Sequence, residues 1–324
     1  MKGSVTVLGI NGRIGQAAAT AFVNAGFTVA GFGRSARAVP PGVTFRQGTV
    51  EDTASLKAAI ADADIVVNAL NLPYHKWYNG RAEAQLEAAI AAMKDSGKTM
   101  LFPGNVYNYS PDQLVLRPDT PQKPPHERGA IRKRMEDRLK RAAREDGIQV
   151  AILRAGDFYG PGAFESWFDL GISRDFARKA ITYPGEMKTG HSWAYLPDLG
   201  RAFAVLGEKR DQLGAFESFQ FSGHFATGEE LVAAVQAALP ERYKVKKFFW
   251  WMLALMAPFS KLMRSVYQMR YLWKTPQRLE DPRLETLLGE GFHTPFKEAV
   301  ARTARSYLPQ DQKAGASASA VVVA

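Results

Sequence analysis

Residues 5–16 read Val-Thr-Val-Leu-Gly-Ile-Asn-Gly-Arg-Ile-Gly-Gln, and no other stretch constrains the chain so tightly. An apolar run ends at Gly9, and glycines recur at Gly12 and Gly15. A helical stripe begins at once, with Ile14, Ala17, Ala18, Ala21, Phe22 and Ala25 on one face. Strand, glycine turn and helix in this order form the cradle that a dinucleotide pyrophosphate needs. Gly9 allows a tight exit from the strand, Gly12 lets an anion approach bare backbone, and Gly15 lets the helix lie close to the strand. The helix N-terminus then turns free N–H groups and a positive dipole end toward the phosphate, with Asn11, Arg13 and Ile14 flanking it.

The pattern continues in the same style. Strand-like runs fall at 4–10, 27–32, 43–46, 64–70, 99–102 and 149–154. Helix-like runs fill the gaps at 13–25, 53–61, 80–95 and 128–145. Apolar strands alternating with amphipathic helices predict an α/β fold, a doubly wound parallel sheet with ligands at the carboxyl ends of its strands. After residue 155 the pattern loosens. A strand is expected at 219–222, a helix with a capping box at 227–239, and a short strand at 244–249. Further helices are expected at 250–273, interrupted at Pro258, and at 295–308. The expected organisation is a cofactor-binding core over 1–160, the remaining sheet elements and a smaller substrate-binding part over 161–308, and a disordered tail over 309–324.

The bulk numbers exclude several classes. No cysteine is present, so disulfides and thiolate-held metals are absent, and the dispersed histidines show no metal-ligand spacing. The longest apolar run, 248–259, is too short to cross a bilayer, so no integral membrane segment is expected. With no leader-like start, a cytoplasmic location is expected. The net charge of +10 raises the question of nucleic acid. The densest basic run, 127–146, holds eight Lys or Arg against five acids at helical spacing, which reads as a solvated helix face. A small anionic ligand accounts for the charge without a nucleic-acid partner.

Cofactor choice is read after the second strand, where an acid would hold the ribose hydroxyls of NAD. Here the sequence is Gly31-Phe32-Gly33-Arg34-Ser35, without a carboxylate. Arg34 can grip a phosphate and Ser35 can add a donor, which favours NADP, with NAD as second choice. The alternative is that Arg34 is a plain surface arginine. After the fourth strand come Asn68, Ala69 and Leu70, suited to lie under the cofactor. A loop containing Tyr74 and His75 follows, either a wall of a substrate pocket or a segment packed on a neighbouring helix. The aromatic run 248–273 reads as core packing first, and otherwise as an apolar lid or a surface that touches a membrane.

These pieces, with Val106-Tyr107, Arg154-Ala155-Gly156-Asp157-Phe158-Tyr159-Gly160-Pro161 and Trp193-Ala194-Tyr195-Leu196-Pro197-Asp198, resemble the short-chain dehydrogenase/reductase superfamily. The chain is nearest its extended, epimerase/dehydratase-like branch and its atypical NmrA-like branch. The resemblance implies a Rossmann domain that binds NAD(P), with hydride transfer at a carbonyl or hydroxyl carbon of a small substrate; an apolar lid formed by 248–273 would suit a lipophilic substrate better than a nucleotide sugar. A homodimer is compatible with it. The family's catalytic groups do not carry over. Its Ser or Thr position falls on Pro103, its Tyr on Arg128 and its Lys on Arg132. Arg132 can replace Lys as a ribose ligand, but a guanidinium cannot trade protons. Tyr107 becomes the leading proton-exchange candidate, or else a packing residue. Arg128 and Arg132 beside it are expected to favour its phenolate. Asn105, Asp157 and His191 are the further substrate-side candidates, and Asp198 is expected to cap a helix. The other reading is a non-catalytic protein that binds and senses NADP.

Overall fold

The computed structural model describes residues 2–308, so the tail expected at 309–324 lies outside the described residues. The strands in chain order are β1 (Ser4–Leu8), β2 (Thr28–Gly33), β3 (Val43–Gln47), β4 (Ile65–Asn68), β5 (Thr99–Gly104), β6 (Val115–Leu116) and β7 (Gln149–Arg154). They continue with β8 (Asp157–Tyr159), β9 (Ala180–Tyr183), β10 (Gly190–Tyr195), β11 (Phe216–Gln220), β12 (His224–Thr227), β13 (Lys244–Lys247) and β14 (Arg278–Leu279). The helices are α1 (Arg13–Asn24), α2 (Thr53–Ile60), α3 (Arg81–Met93), α4 (Glu127–Glu145), α5 (Leu196–Glu208), α6 (Gly228–Ala238), α7 (Trp250–Met256), α8 (Lys261–Gln268), α9 (Pro282–Leu288) and α10 (Phe296–Ser306).

Seven strands form one sheet in the order β11-β7-β5-β4-β1-β2-β3, and every neighbouring pair is parallel. The Val, Ile and Leu runs of the five inner strands are buried on both faces, which is why they read as continuous apolar segments, whereas the edge strands β3 and β11 are partly exposed. On one face Phe22 of α1 and Phe203 and Leu206 of α5 pack against Val5, Val7 and Ile65. On the other, Leu56, Leu86 and Leu139 of α2, α3 and α4 cover Val66, Met100 and Ile152. The chain runs outward from β1 through β2 to β3, then crosses to β4 on the other side of β1. This reversal places the crevice beside β1, at the carboxyl ends of the strands. Leu8, Phe32 and Asn68 stand in register there.

Element boundaries shift where backbone geometry intervenes. The first strand, expected to reach residue 10, stops at Leu8. Gly9 takes φ +81°, and the amides of Gly9 and Ile10 both turn onto Phe32 O. The capping box on α6 is present, Thr227 Oγ1 accepting from Glu230 N and Glu230 Oε2 accepting from Thr227 N. Asp198 is not the cap of α5. Tyr195 holds that place, and buried Asp198 instead accepts from Thr294 N and Thr294 Oγ1 and pairs with Arg201. The sequence pattern missed the sheet β12-β10-β8, whose strands pack aromatic residues rather than alternating. Tyr159, Phe168, Trp193 and Trp273 form a second core there.

The expected helix over 250–273 is two short helices and a 3-10 turn, Met269–Trp273, broken around Pro258. Its C-terminal end is core, with Met269, Leu272 and Trp273 buried. Core packing does not extend to its start. Phe249, Trp251, Leu255 and Phe259 are exposed, and α7 buries no residue.

Candidate functional site

The cradle is built as its glycines require. A Cβ at Gly9 would lie 2.8 Å from Ala69 O, and one at Gly15 would lie 2.4 Å from Gly9 O, so packing alone forbids side chains at both. Gly12 differs. Its φ is −80°, which any residue adopts, and a Cβ there would meet only Gly9 O at 3.3 Å. Packing resists a side chain here far less than at Gly9 or Gly15, whereas an anion resting on the backbone would exclude one. Gly12 is also the N-cap of α1, and no side chain caps the helix or places an acid in its first turn. The first-turn amides are thus left for an external acceptor. This geometry fits a dinucleotide pyrophosphate.

Asn11 ties the cradle to the next loop. Its Nδ2 donates to Ser35 O at 2.7 Å and its Oδ1 accepts from Ala38 N at 3.2 Å. Its side chain positions the 35–38 loop. Arg34 follows directly on β2, is exposed, and has no side-chain partner among the described residues. Arg13 reaches the other way, donating to Phe164 O and lying over the Phe158 ring. Asn68 is buried at the end of β4, with Ala69 and Leu70 partly exposed beyond it.

A second cluster stands at the carboxyl end of β5. Arg128 and Arg132, four residues apart on α4, both turn inward and are 3% and 7% exposed. The Arg132 guanidinium donates to Pro103 O and lies between the rings of Phe102 and Trp77. Arg128 lies 4.6 Å over the Tyr74 ring and makes one long contact, Nη1 to Ser265 O at 3.5 Å. Its Nε and Nη2 are buried without a partner, as is Nε of Arg132. Deeper in, Arg154 pairs with Glu136 through two bonds of 2.9 and 2.6 Å, and Gln122 takes up Glu136 Oε2 as well. The carboxylate of Glu136 is therefore spent on Arg154, and neither Arg128 nor Arg132 has an ion-pair partner among the described residues.

Tyr107 Oη lies 3.2 Å from Tyr74 Oη. Burial, reinforced by Tyr74 and by the charge of Asp157, pushes its pKa well above the usual tyrosine value, and Arg128 opposes this only weakly. The expectation of a favoured phenolate is therefore corrected. Desolvation outweighs the cation, and the hydroxyl keeps its proton at neutral pH.

Asp157, at the start of β8, meets His191 of β10 at 2.8 Å. The other ring nitrogen of His191 faces Leu272 O at 3.1 Å, and the ring stacks on Trp273 at 4.1 Å. Both ring nitrogens face acceptors. The Tyr271 hydroxyl is buried without a partner, and both Asp157 and Arg128 act on it.

The structure thus joins Tyr74, Tyr107 and Arg128, and separately Asp157 and His191. Asn105 is turned to local use, its Oδ1 accepting from Tyr107 N at 3.0 Å. His75 is exposed and reaches none of these groups. Sequence reasoning missed Tyr271, Trp273 and the Arg154–Glu136 pair. The aromatic density of 248–273 marked the first two as a segment, but only the broken helix reveals which rings turn inward. Among the described residues no group of three or more metal-ligating side chains exists, and no helix is long and apolar enough to cross a membrane.

Residues 5–220 match the model of a family described as NAD dependent epimerase/dehydratase family. Among solved structures, the chain is similar to MoeE5 in complex with UDP-glucose and NAD, at TM-score 0.74 and 18% identity, over 94% of this chain and 98% of that one. It is also similar to the Bordetella bronchiseptica enzyme WbmH in complex with NAD+, at TM-score 0.69 and 22% identity, over 94% and 98%. A third is TunA, an NAD-dependent NDP-hexosamine 5,6-dehydratase of tunicamycin biosynthesis, at TM-score 0.71 and 17% identity, over 94% and 97%. A search of the curated proteins finds no match.

Proposed function

The chain belongs to the NAD dependent epimerase/dehydratase family, and from that premise we propose that it is an NADP-dependent oxidoreductase acting at a carbonyl or hydroxyl carbon of a nucleotide-linked sugar or similar small molecule. The observation that carries this reading is Gly12, a glycine in ordinary backbone conformation whose Cβ would meet only Gly9 O, with an uncapped helix behind it. The substrate class is suggested by the nucleotide sugars named with structurally similar proteins. Those proteins are named with NAD, so the preference for NADP rests on Arg34, a free cation where an acid would select NAD.

Gly9, Gly12, Gly15 and the α1 amides would hold the pyrophosphate. Arg34 and Ser35 would meet the 2′-phosphate, and Asn68, Ala69 and Leu70 would line the floor. When bound, the cofactor supplies or accepts the hydride. The chain's own part is to position the substrate and manage one proton. Tyr107 Oη, protonated and hydrogen-bonded to Tyr74, can donate to a carbonyl oxygen. Arg132, fixed by Pro103 O, supports the ribose side electrostatically.

A non-catalytic NADP sensor is the second reading. It is favoured by Pro103, Arg128 and Arg132 standing where the family resemblance puts its Ser or Thr, Tyr and Lys. The experiment is oxidation of NADPH by purified protein across a panel of carbonyl compounds that includes UDP-4-keto sugars. Turnover that falls in Tyr107→Phe supports the enzyme. Tight NADP binding with no turnover supports the sensor.

A further inference from the structure

Arg128 carries a positive charge that the described protein does not balance. It is 3% exposed, its Nε and Nη2 bond to nothing, and its one polar contact, to Ser265 O, is 3.5 Å long. A buried unpaired cation is costly, and stacking on Tyr74 recovers only part of that cost. The unpartnered atoms are not scattered. Nε–H and Nη2–H form one edge of the guanidinium, two parallel donors spaced for the two oxygens of a planar acid.

A second group points the same way. The Tyr271 hydroxyl, buried and equally without a partner, is close enough to Arg128 to feel its charge. The Tyr107 and Tyr74 hydroxyls lie 3.2 Å apart, and the Tyr74 ring lies under the guanidinium. The other charges nearby are accounted for. Asp157 is paired with His191, Glu136 with Arg154, and Arg132 is turned to Pro103 O. Tyr74 and Asp157 are partly exposed, so the cluster reaches the surface at its edge.

We propose that the Nε–Nη2 edge of Arg128, with the Tyr271 hydroxyl, binds a carboxylate carried by the substrate close to its reacting carbon. One guanidinium edge and neutral hydroxyls match a monoanion. The proposal rests on the enzymatic reading above, because it places the carboxylate beside Tyr107.

The test is calorimetric titration of the full chain, NADP present, with two matched pairs: UDP-glucuronate against UDP-glucose, and free glucuronate against glucose. Each pair differs by a carboxylate in place of a hydroxymethyl group. The acid of a pair should bind at least about tenfold tighter to wild type. Arg128→Gln should erase that preference, and Arg128→Lys should restore it only in part, because an ammonium lacks the two-donor edge. No preference in wild type, or one that survives Arg128→Gln, overturns the proposal. If neither UDP sugar binds, the free pair decides. A preference there that Arg128→Gln removes keeps the carboxylate site and contradicts the nucleotide-sugar reading, whereas no preference overturns the site. Thermal melting of the ligand-free protein gives the independent control. Arg128→Gln should melt no lower than wild type, because it removes an unpaired buried charge. A drop of several degrees would make Arg128 a structural cation and contradict the proposal.

Discussion

The cradle around α1 and the cluster around α4 use buried polarity in opposite ways. In the cradle the polar side chains of Asn11 and Gln16 are bonded within the protein, and what is left open is backbone. In the α4 cluster what is left open is buried side chain: Arg128 Nε and Nη2, Arg132 Nε and Tyr271 Oη. A backbone site is shaped by small residues and tolerates no decoration. A side-chain site is shaped by charge and can be retuned by substitution. The first suits a ligand shared by a whole family, the second a ligand particular to this chain.

The sharpest way to break the contrast is at the pair that separates structural from functional charge. Glu136 and Arg154 are both buried and bonded through two contacts. Glu136→Gln should cost about 3–5 kcal/mol of stability, because it strands Arg154. Chemical denaturation measures this, and a loss no larger than that of Arg128→Gln would erase the distinction between the two kinds of arginine. Next comes Gly12→Val. Its φ admits a side chain, and the Cβ would press only on Gly9 O, so the protein should stay folded with at most a small drop in melting temperature while NADP affinity falls by more than about a hundredfold, roughly 2.7 kcal/mol. A folded variant with unchanged affinity would show that the cradle is only a tight turn.

These substitutions also mark what could be seen in the sequence. Gly9, Gly12 and Gly15 announce the cradle because backbone proximity leaves a compositional trace at fixed offsets. The parallel sheet was legible for a similar reason, since strands buried on both faces must be apolar throughout. The α4 cluster was half legible. The four-residue spacing of Arg128 and Arg132 placed them on one face. That the face turns inward, against a chain average of exposed arginines, depends on Phe102, Trp77 and Tyr74 from other segments. The state of Tyr107 was misread because adjacency of cations is visible in sequence and desolvation is not. Tyr271 and Trp273 arrive from more than a hundred residues away, through a helix broken at Pro258.

Smaller effects sharpen the account further. Tyr107 has its pKa raised on folding, so it contributes stability that is fully present below the unfolded value of about 10 and is lost as pH rises past it. Stability of wild type should therefore decline above about pH 10, and Tyr107→Phe should flatten that decline. An alkaline limb identical in the two proteins would contradict burial of the hydroxyl. Tyr74→Phe should cost only about 0.5–1.5 kcal/mol, the loss of one hydroxyl pair, while lowering the Tyr107 pKa because Tyr74 helps to raise it. Ultraviolet titration of the tyrosines reads that direction.

The most direct measurement is the affinity of the full chain for NADP and for NAD, taken by calorimetry on wild type and Arg34→Ala. Wild type should prefer NADP by at least about tenfold, and Arg34→Ala should lose about 1.5–3 kcal/mol for NADP with little change for NAD. Equal affinity of wild type for both cofactors, or an equal loss for both in Arg34→Ala, would contradict it.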